Sequence, residues 1–191
     1  KELIDLPKYG TLNVHPSLLP KYRGASPIQS AILAGEKSTG VTIMLLDQKM
    51  DHGPILAQSY YDTEHNEQMK TSGLTLELAR RGGALLAKTI PDWLNGNILP
   101  KEQEHDKATF TKKITKDDGL ITLSDNSYQN YLKYLAYETW PGTHFFVEKT
   151  GKQIRLKIKE AFYKNGEFHI TRVTPEGGRE MQYEDFIRGL S

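Results

Sequence analysis

The sequence contains no cysteine in its 191 residues. That excludes disulfide frameworks, cysteine-ligated zinc sites and thiol catalysis. Long apolar stretches are also missing: none reaches the roughly 18 residues that a membrane-crossing helix needs, so no membrane partner is expected. Nor is there an excess of charge, with 25 Lys and Arg against 24 Asp and Glu and a formal net charge of +1. Bulk attraction to nucleic acid is not indicated, although a local basic face is left open. Residues 1–7 carry acids within what apolar character they have. They do not read as a signal peptide, and a cytosolic protein is expected. There is no internal repeat and no low-complexity tract.

What is present is a chain with 37% hydrophobic and 26% charged residues, enough for one large domain or two small ones. Its punctuation changes at the polar stretch 99–112, which reads as a linker between a first domain, 1–98, and a second, 113–191. In the first, residues 11–15 predict a short strand ended by Pro16. Residues 25–33 predict a helix with Ser26 as cap, Pro27 in the first turn and Gly35 just past the end. The β-branched, apolar run 41–46 predicts a strand buried on both faces, and 55–61 a second strand. The longest helix is predicted over 75–95. In the second domain a helix is predicted over 127–137, capped by Asp125 or Asn126. Short strands follow over 143–148, 153–162 and 167–174. Thr150-Gly151, Asn165-Gly166 and Glu176-Gly177-Gly178 separate them, a spacing that suits a small barrel or sandwich.

Two short segments carry chemistry. In Asn13-Val14-His15-Pro16-Ser17-Leu18-Leu19-Pro20, Asn13 and His15 lie two apart on a strand and so project to one face. An amide beside an imidazole offers donors to a carbonyl oxygen and a group able to exchange protons near neutral pH. Taken alone, the pair reads equally as a structural histidine beside a turn. In Met50-Asp51-His52-Gly53-Pro54 a carboxylate follows a buried strand, placed to orient an imidazole. Taken alone, it reads as a turn aspartate bonded to nearby backbone. His52 is expected to face solvent.

The combination is more specific. Residues 13–24, Asn-Val-His-Pro-Ser-Leu-Leu-Pro-Lys-Tyr-Arg-Gly, followed by Thr39-Gly40-Val41-Thr42-Ile43-Met44 and Asp51-x-Gly53, resemble the folate-dependent formyltransferases. The resemblance implies an α/β fold in which residues 1–98 are the C-terminal part of a Rossmann-like catalytic domain. About ten residues precede the Asn-x-His strand. In the family an N-terminal half comes first, roughly ninety residues if it is three βα units of about 30 each. The resemblance therefore implies either a C-terminal piece of a longer enzyme or a truncated gene product, inactive or very weak by itself. It also implies 10-formyltetrahydrofolate as co-substrate, with Asn13, His15 and Asp51 as the catalytic set and no metal. Ser17, Leu18, Leu19 and Pro20 would form the folate-contacting loop.

The second domain bears on the acceptor. Residues 109–121 and Tyr137-Glu138-Thr139-Trp140-Pro141-Gly142-Thr143 resemble the small OB-like barrel of the family members that formylate initiator methionyl-tRNA. In residues 154–159 the period of two puts Arg155, Lys157 and Lys159 on one face. That face, extended by Lys112, Lys113 and Lys116, reads either as a phosphate-contacting surface for tRNA or as ordinary solvated charge. Two further readings are open. One is a formyltransferase acting on a small or sugar-nucleotide amine, the other a non-catalytic RNA-binding module. Tyr128, Tyr131, Leu132 and Leu135 at helical spacing read as packing, as do Tyr134 and Trp140. His65, His105, His144 and His169 show no metal-ligand spacing. Arg80-Arg81 reads as a solvated face, and neither Gly82-Gly83 nor Gly177-Gly178 fits a phosphate loop.

Overall fold

The computed structural model describes residues 4, 6–64, 68–149 and 151–190. His65 and Thr150, singled out above, lie outside the described residues. The chain divides into two compact units, 1–113 and 114–191.

The first unit is built on a three-stranded sheet of β1 (Leu12–His15), β3 (Ser38–Leu45) and β4 (Ile55–Asp62), in the order β1-β3-β4. β3 is central, and the apolar run predicted to be buried on both faces is so: Val41, Ile43 and Met44 are fully enclosed. Both pairings are antiparallel, with Asn13 opposite Met44 and His15 opposite Thr42. The several parallel strands of a Rossmann-like domain are expected in the N-terminal half, and this sheet contains none. The link from β3 to β4 is a loop of residues 46–54, too short for the crossover that parallel neighbours require. A parallel pair occurs instead between two very short strands, β2 (Arg23–Gly24) and β5 (Phe110–Thr111).

Helix α1 (Pro27–Leu33) starts at Ser26 with Pro27 in its first turn, as expected, but the Ser26 side chain makes no cap hydrogen bond. Helix α2 (Thr71–Leu94) begins four residues earlier than its apolar pattern suggests. Thr71 and Leu74 are buried and anchor an extra turn across Gly73. α2 packs closely on the sheet because Gly82 has no side chain. A Cβ there would lie 2.7 Å from Val14 Cγ1.

The stretch 99–112, expected as a linker, carries structure. Lys101 exchanges two backbone hydrogen bonds with Ile55, both 2.8 Å. A 3-10 turn covers His105–Lys107, and β5 pairs with β2. Four of its polar side chains, Gln103, His105, Thr109 and Thr111, bond to groups elsewhere in the first unit. The side chain of Gln103 is buried there.

The second unit holds α3 (Ser127–Ala136), a four-stranded antiparallel sheet and a short C-terminal helix. The strands β6 (His144–Lys149), β7 (Lys152–Lys164), β8 (Glu167–Pro175) and β9 (Met181–Gln182) are ordered β6-β7-β8-β9. Asn126 caps α3 by accepting a hydrogen bond from the Gln129 N–H at 3.0 Å. Tyr131, Leu132, Tyr134 and Leu135 are buried, and the Tyr131 ring stacks on Tyr163 of β7 with centroids 5.6 Å apart. Tyr128 and Trp140, read as packing, are 40% and 48% exposed. The sheet is a meander that does not close. Among the described residues no pairing joins β6 to β9, so the OB-like barrel expected here is met in its strands but not in closure. β9 and α4 (Tyr183–Arg188) give too short a pattern to be read from sequence. They are pinned by the buried Phe186.

Candidate active site

The site is assembled from three segments of the first unit. β1 supplies Asn13 and His15 on one face, and the β3–β4 loop returns Asp51 to meet them. The Asn13 Nδ2 to Asp51 Oδ1 distance is 3.5 Å, and His15 Nδ1 lies 3.7 Å from Asp51 Oδ2. The first is at the long limit of a hydrogen bond and the second beyond it. The carboxylate thus faces both groups without being locked to either. What does hold it is the Gly24 backbone N–H, which donates to Oδ2 at 2.7 Å. The other ring nitrogen of His15, Nε2, lies 3.0 Å from the Tyr22 carbonyl. A carbonyl only accepts, so Nε2 carries a proton in this contact. The His15 ring is almost fully buried.

Two residues next to this chemistry have backbones in the left-handed region, Tyr22 at φ 61° and Asp51 at φ 49°. Neither is glycine, and each such conformation costs on the order of 1–3 kcal/mol. The Asp51 loop is kept tight by Gly53, where a Cβ would lie 2.0 Å from the Leu45 carbonyl oxygen. The Tyr22 hydroxyl donates to Glu36 Oε1 at 2.7 Å. Burial, then the hydrogen bond to Glu36 and its charge, push the Tyr22 phenol well above the usual range, so it stays protonated.

The third segment is the stretch 101–111, whose residue pattern carries no sign of its part here. Gln103 donates to the carbonyls of Asp51 and Gly53 at 3.0 and 2.7 Å. Its own oxygen accepts two hydrogen bonds from buried Arg23. Arg23 Nη2 also lies 2.9 Å from His105 Nδ1. Burial lowers the Arg23 pKa, while the charges of Asp47 and Asp51 oppose the drop.

His52 does not face solvent as expected. It bonds Asp47 Oδ2 at 2.6 Å and stacks on His105 with ring centroids 4.0 Å apart. Burial alone would raise the Asp47 carboxyl, but hydrogen bonds from His52 and the Lys49 backbone outweigh it and hold the pKa low. These contacts join residues 23, 47, 52 and 105, which sequence spacing alone leaves scattered. A lone histidine in a polar stretch carries no signal of its partner.

Of the loop expected to meet folate, Ser17 and Leu19 point inward. The Ser17 hydroxyl donates to the Lys21 carbonyl at 2.6 Å, and both side chains are buried. Leu18 lies over Gly40, whose absent Cβ would fall 2.5 Å from Leu18 Cδ2. Thr42 and Gln58 clamp the backbone: the Leu19 N–H donates to Thr42 Oγ1 at 3.1 Å, and Gln58 Nε2 donates to the Leu19 carbonyl at 2.9 Å. Leu18 and Pro20 remain half-buried.

In the second unit Arg155, Lys157 and Lys159 do share the exposed face of β7, with Leu156 and Ile158 on the buried one. Two of the three have acidic neighbours: Arg155 lies 3.6 Å from Glu176 and Lys159 lies 4.0 Å from Glu180. Lys112 and Lys113 are exposed at the end of the first unit. Arg80 is solvated as expected, whereas Arg81 is 2.7 Å from Glu77 and lies over the Tyr61 ring at 4.7 Å. Among the described residues no group of three or more His, Asp and Glu is arranged to hold a metal ion.

The comparisons give the chain that carries this constellation a class. A family model described as "Formyl transferase" matches residues 1–87. A methionyl-tRNA formyltransferase from Chloroflexus aurantiacus is 46% identical over 84% of this chain and 50% of its own length. Another from Caldicellulosiruptor saccharolyticus is 34% identical over 99% of this chain and 67% of its own length. The fold is similar to that of HypX from Aquifex aeolicus, solved in complex with tetrahydrofolic acid. There the TM-score is 0.65 at 17% identity, covering 94% of this chain and 35% of the other. The chain belongs to the formyl transferase family, and within it the relatives named here by sequence are methionyl-tRNA formyltransferases. It spans about half the length of the Chloroflexus relative.

Proposed function

We propose that the complete protein transfers the formyl group of 10-formyltetrahydrofolate to the amino group of initiator methionyl-tRNA in the cytosol, for translation initiation. The single observation that carries this is the convergence of Asn13, at 3.5 Å, and His15, at 3.7 Å, on the Asp51 carboxylate. The names of the relatives supply the acceptor.

The chemistry is an acyl transfer. The amine nitrogen attacks the formyl carbon, a C–N bond forms, and the carbonyl electron pair moves to oxygen. Asn13 Nδ2 is one donor for that developing oxyanion, and His15, whose Nε2–H is taken by the Tyr22 carbonyl, is the other through Nδ1 when the ring is protonated there beside Asp51. A preorganised donor of this kind is worth about 3–4 kcal/mol when removed in other enzymes. Asp51 takes the proton that the amine sheds. Collapse of the oxyanion then breaks the bond to N10, and the proton held by Asp51 passes to N10, so the carboxylate is restored. For the folate, the half-buried Leu18 and Pro20 offer apolar surface to a flat ring, on a loop that Thr42 and Gln58 hold still. For the tRNA, Arg155, Lys157 and Lys159 on β7, with Lys112 and Lys113, are the phosphate-contacting candidates.

The test is formyl transfer by the complete protein from 10-formyltetrahydrofolate, offered methionyl-tRNA and, separately, an amino-sugar nucleotide. Formyl-methionyl-tRNA is the expected product. Formylation of the sugar alone would assign a different acceptor, and RNA binding without transfer to either would leave only a binding module.

A further inference from the structure

We infer that Gln103 is a positioning residue for Asp51, acting with Arg23 to set the carboxylate toward Asn13 and His15. The inference rests on the reading above in one respect, that Asp51 acts in the reaction. Its structural part stands on contacts alone.

Gln103 and Arg23 are only 5% and 3% exposed. A buried amide has two N–H donors and one oxygen to satisfy. Here both donors are spent on the β3–β4 loop, on the carbonyls of Asp51 at 3.0 Å and Gly53 at 2.7 Å. The oxygen accepts from Arg23 Nε at 3.1 Å and Nη2 at 2.6 Å. Because a guanidinium only donates, the amide has one orientation, with its N–H groups toward the loop. Arg23 is followed by Gly24, whose N–H grips the Asp51 carboxylate at 2.7 Å. The result is a closed ring of contacts. It runs from the Asp51 carbonyl through Gln103 and Arg23 to Gly24, and back to the Asp51 side chain.

That ring accounts for an otherwise costly backbone. Asp51 sits at φ 49°, which few residues other than glycine adopt. Held at its carbonyl by one partner and at its carboxylate by another, the residue has little freedom to relax to an ordinary conformation. Relaxation would swing the carboxylate away from Asn13 and His15. Among the hydrogen bonds of the described residues, none joins Gln103 to either of those two, so its route to the chemistry passes through Asp51.

The test compares Gln103→Glu, Gln103→Met and Asp51→Asn, singly and combined, in the complete protein. Gln103→Glu keeps an oxygen partner for Arg23 but can no longer donate to the two carbonyls. It is expected to fold and to slow single-turnover formyl transfer by about 10²-fold, the scale of a misplacement near 1 Å. KM for both substrates should stay unchanged. Combined with Asp51→Asn it should cost nothing further, because both changes act on one group. Amide hydrogen exchange at Gly24 is read in parallel. It should speed up by about tenfold or more in Gln103→Glu and Gln103→Met, with β3 amides unaltered. A wild-type rate in Gln103→Glu, full additivity with Asp51→Asn, or unchanged Gly24 exchange would each overturn the inference. If the wild-type protein transfers no formyl group, the functional reading falls, and Gly24 exchange alone decides the role of Gln103.

Discussion

Asp51 lies close to two nitrogens yet is bonded firmly only to a backbone amide, and that looseness suits the proton-accepting role proposed for it. Replacing it by Asn in the complete protein should lower the single-turnover rate by about 10²–10⁴-fold, the usual worth of a positioned general base, with folate binding little changed. Quench-flow measurement of formyl-methionyl-tRNA checks this, and a near-wild-type rate would remove Asp51 from the reaction. Asp47 gives a prediction in pH. Its carboxyl is held below the ordinary value of 3.8. A depressed carboxyl adds stability at pH values above its unfolded pKa and loses it as the pH falls through the folded one. The gap in Tm between wild type and Asp47→Asn should therefore narrow as the pH falls below about 4. Thermal melts across that range would show it. The trio Asn13, His15 and Asp51 was legible in the sequence because strand alternation and a rare residue order both point to it. Gln103, Arg23 and His105 were not, because their partners lie 50 to 82 positions away in the chain.

Elements follow the same division between local and distant information. β3, α1 and α3 were readable because apolar spacing and punctuation sit within each segment. The antiparallel pairing of β1 with β3 was not, since strand direction is fixed by connections rather than by the strand's own residues. Neighbouring glycines in α2 make a sharp contrast. Gly83 is exposed, with nothing within 4 Å of a Cβ built there. Gly83→Ala should stabilise the protein by up to about 1 kcal/mol through helix propensity. Gly82→Ala gains the same propensity but drives a methyl against Val14, and overpacking costs about 1–3 kcal/mol. It should be neutral to destabilising, so in urea titrations Gly83→Ala should unfold at a higher midpoint than wild type and Gly82→Ala at the same midpoint or a lower one. In β7, Leu156 is fully buried. Leu156→Ala should cost about 2–5 kcal/mol by leaving a cavity, measured in the same way.

At the scale of the whole molecule, the near balance of charge means that any hold on RNA must come from a few placed cations. If β7 touches phosphate, each lost contact lowers the slope of log affinity against log salt by about 0.7–0.9. Lys157→Glu should weaken tRNA binding more than Arg155→Glu or Lys159→Glu. Those two already have carboxylates within 4.0 Å that offset their charge. Filter binding across a salt series would show it, and equal slopes in all variants would exclude this face.

The segment from Lys101 to Thr111 bears on how such enzymes can be recombined. A graft that joined a new module at residue 98, where the composition changes, would keep Asn13, His15 and Asp51 and discard Gln103. A seam at residue 113 would carry the keystone along with the arch.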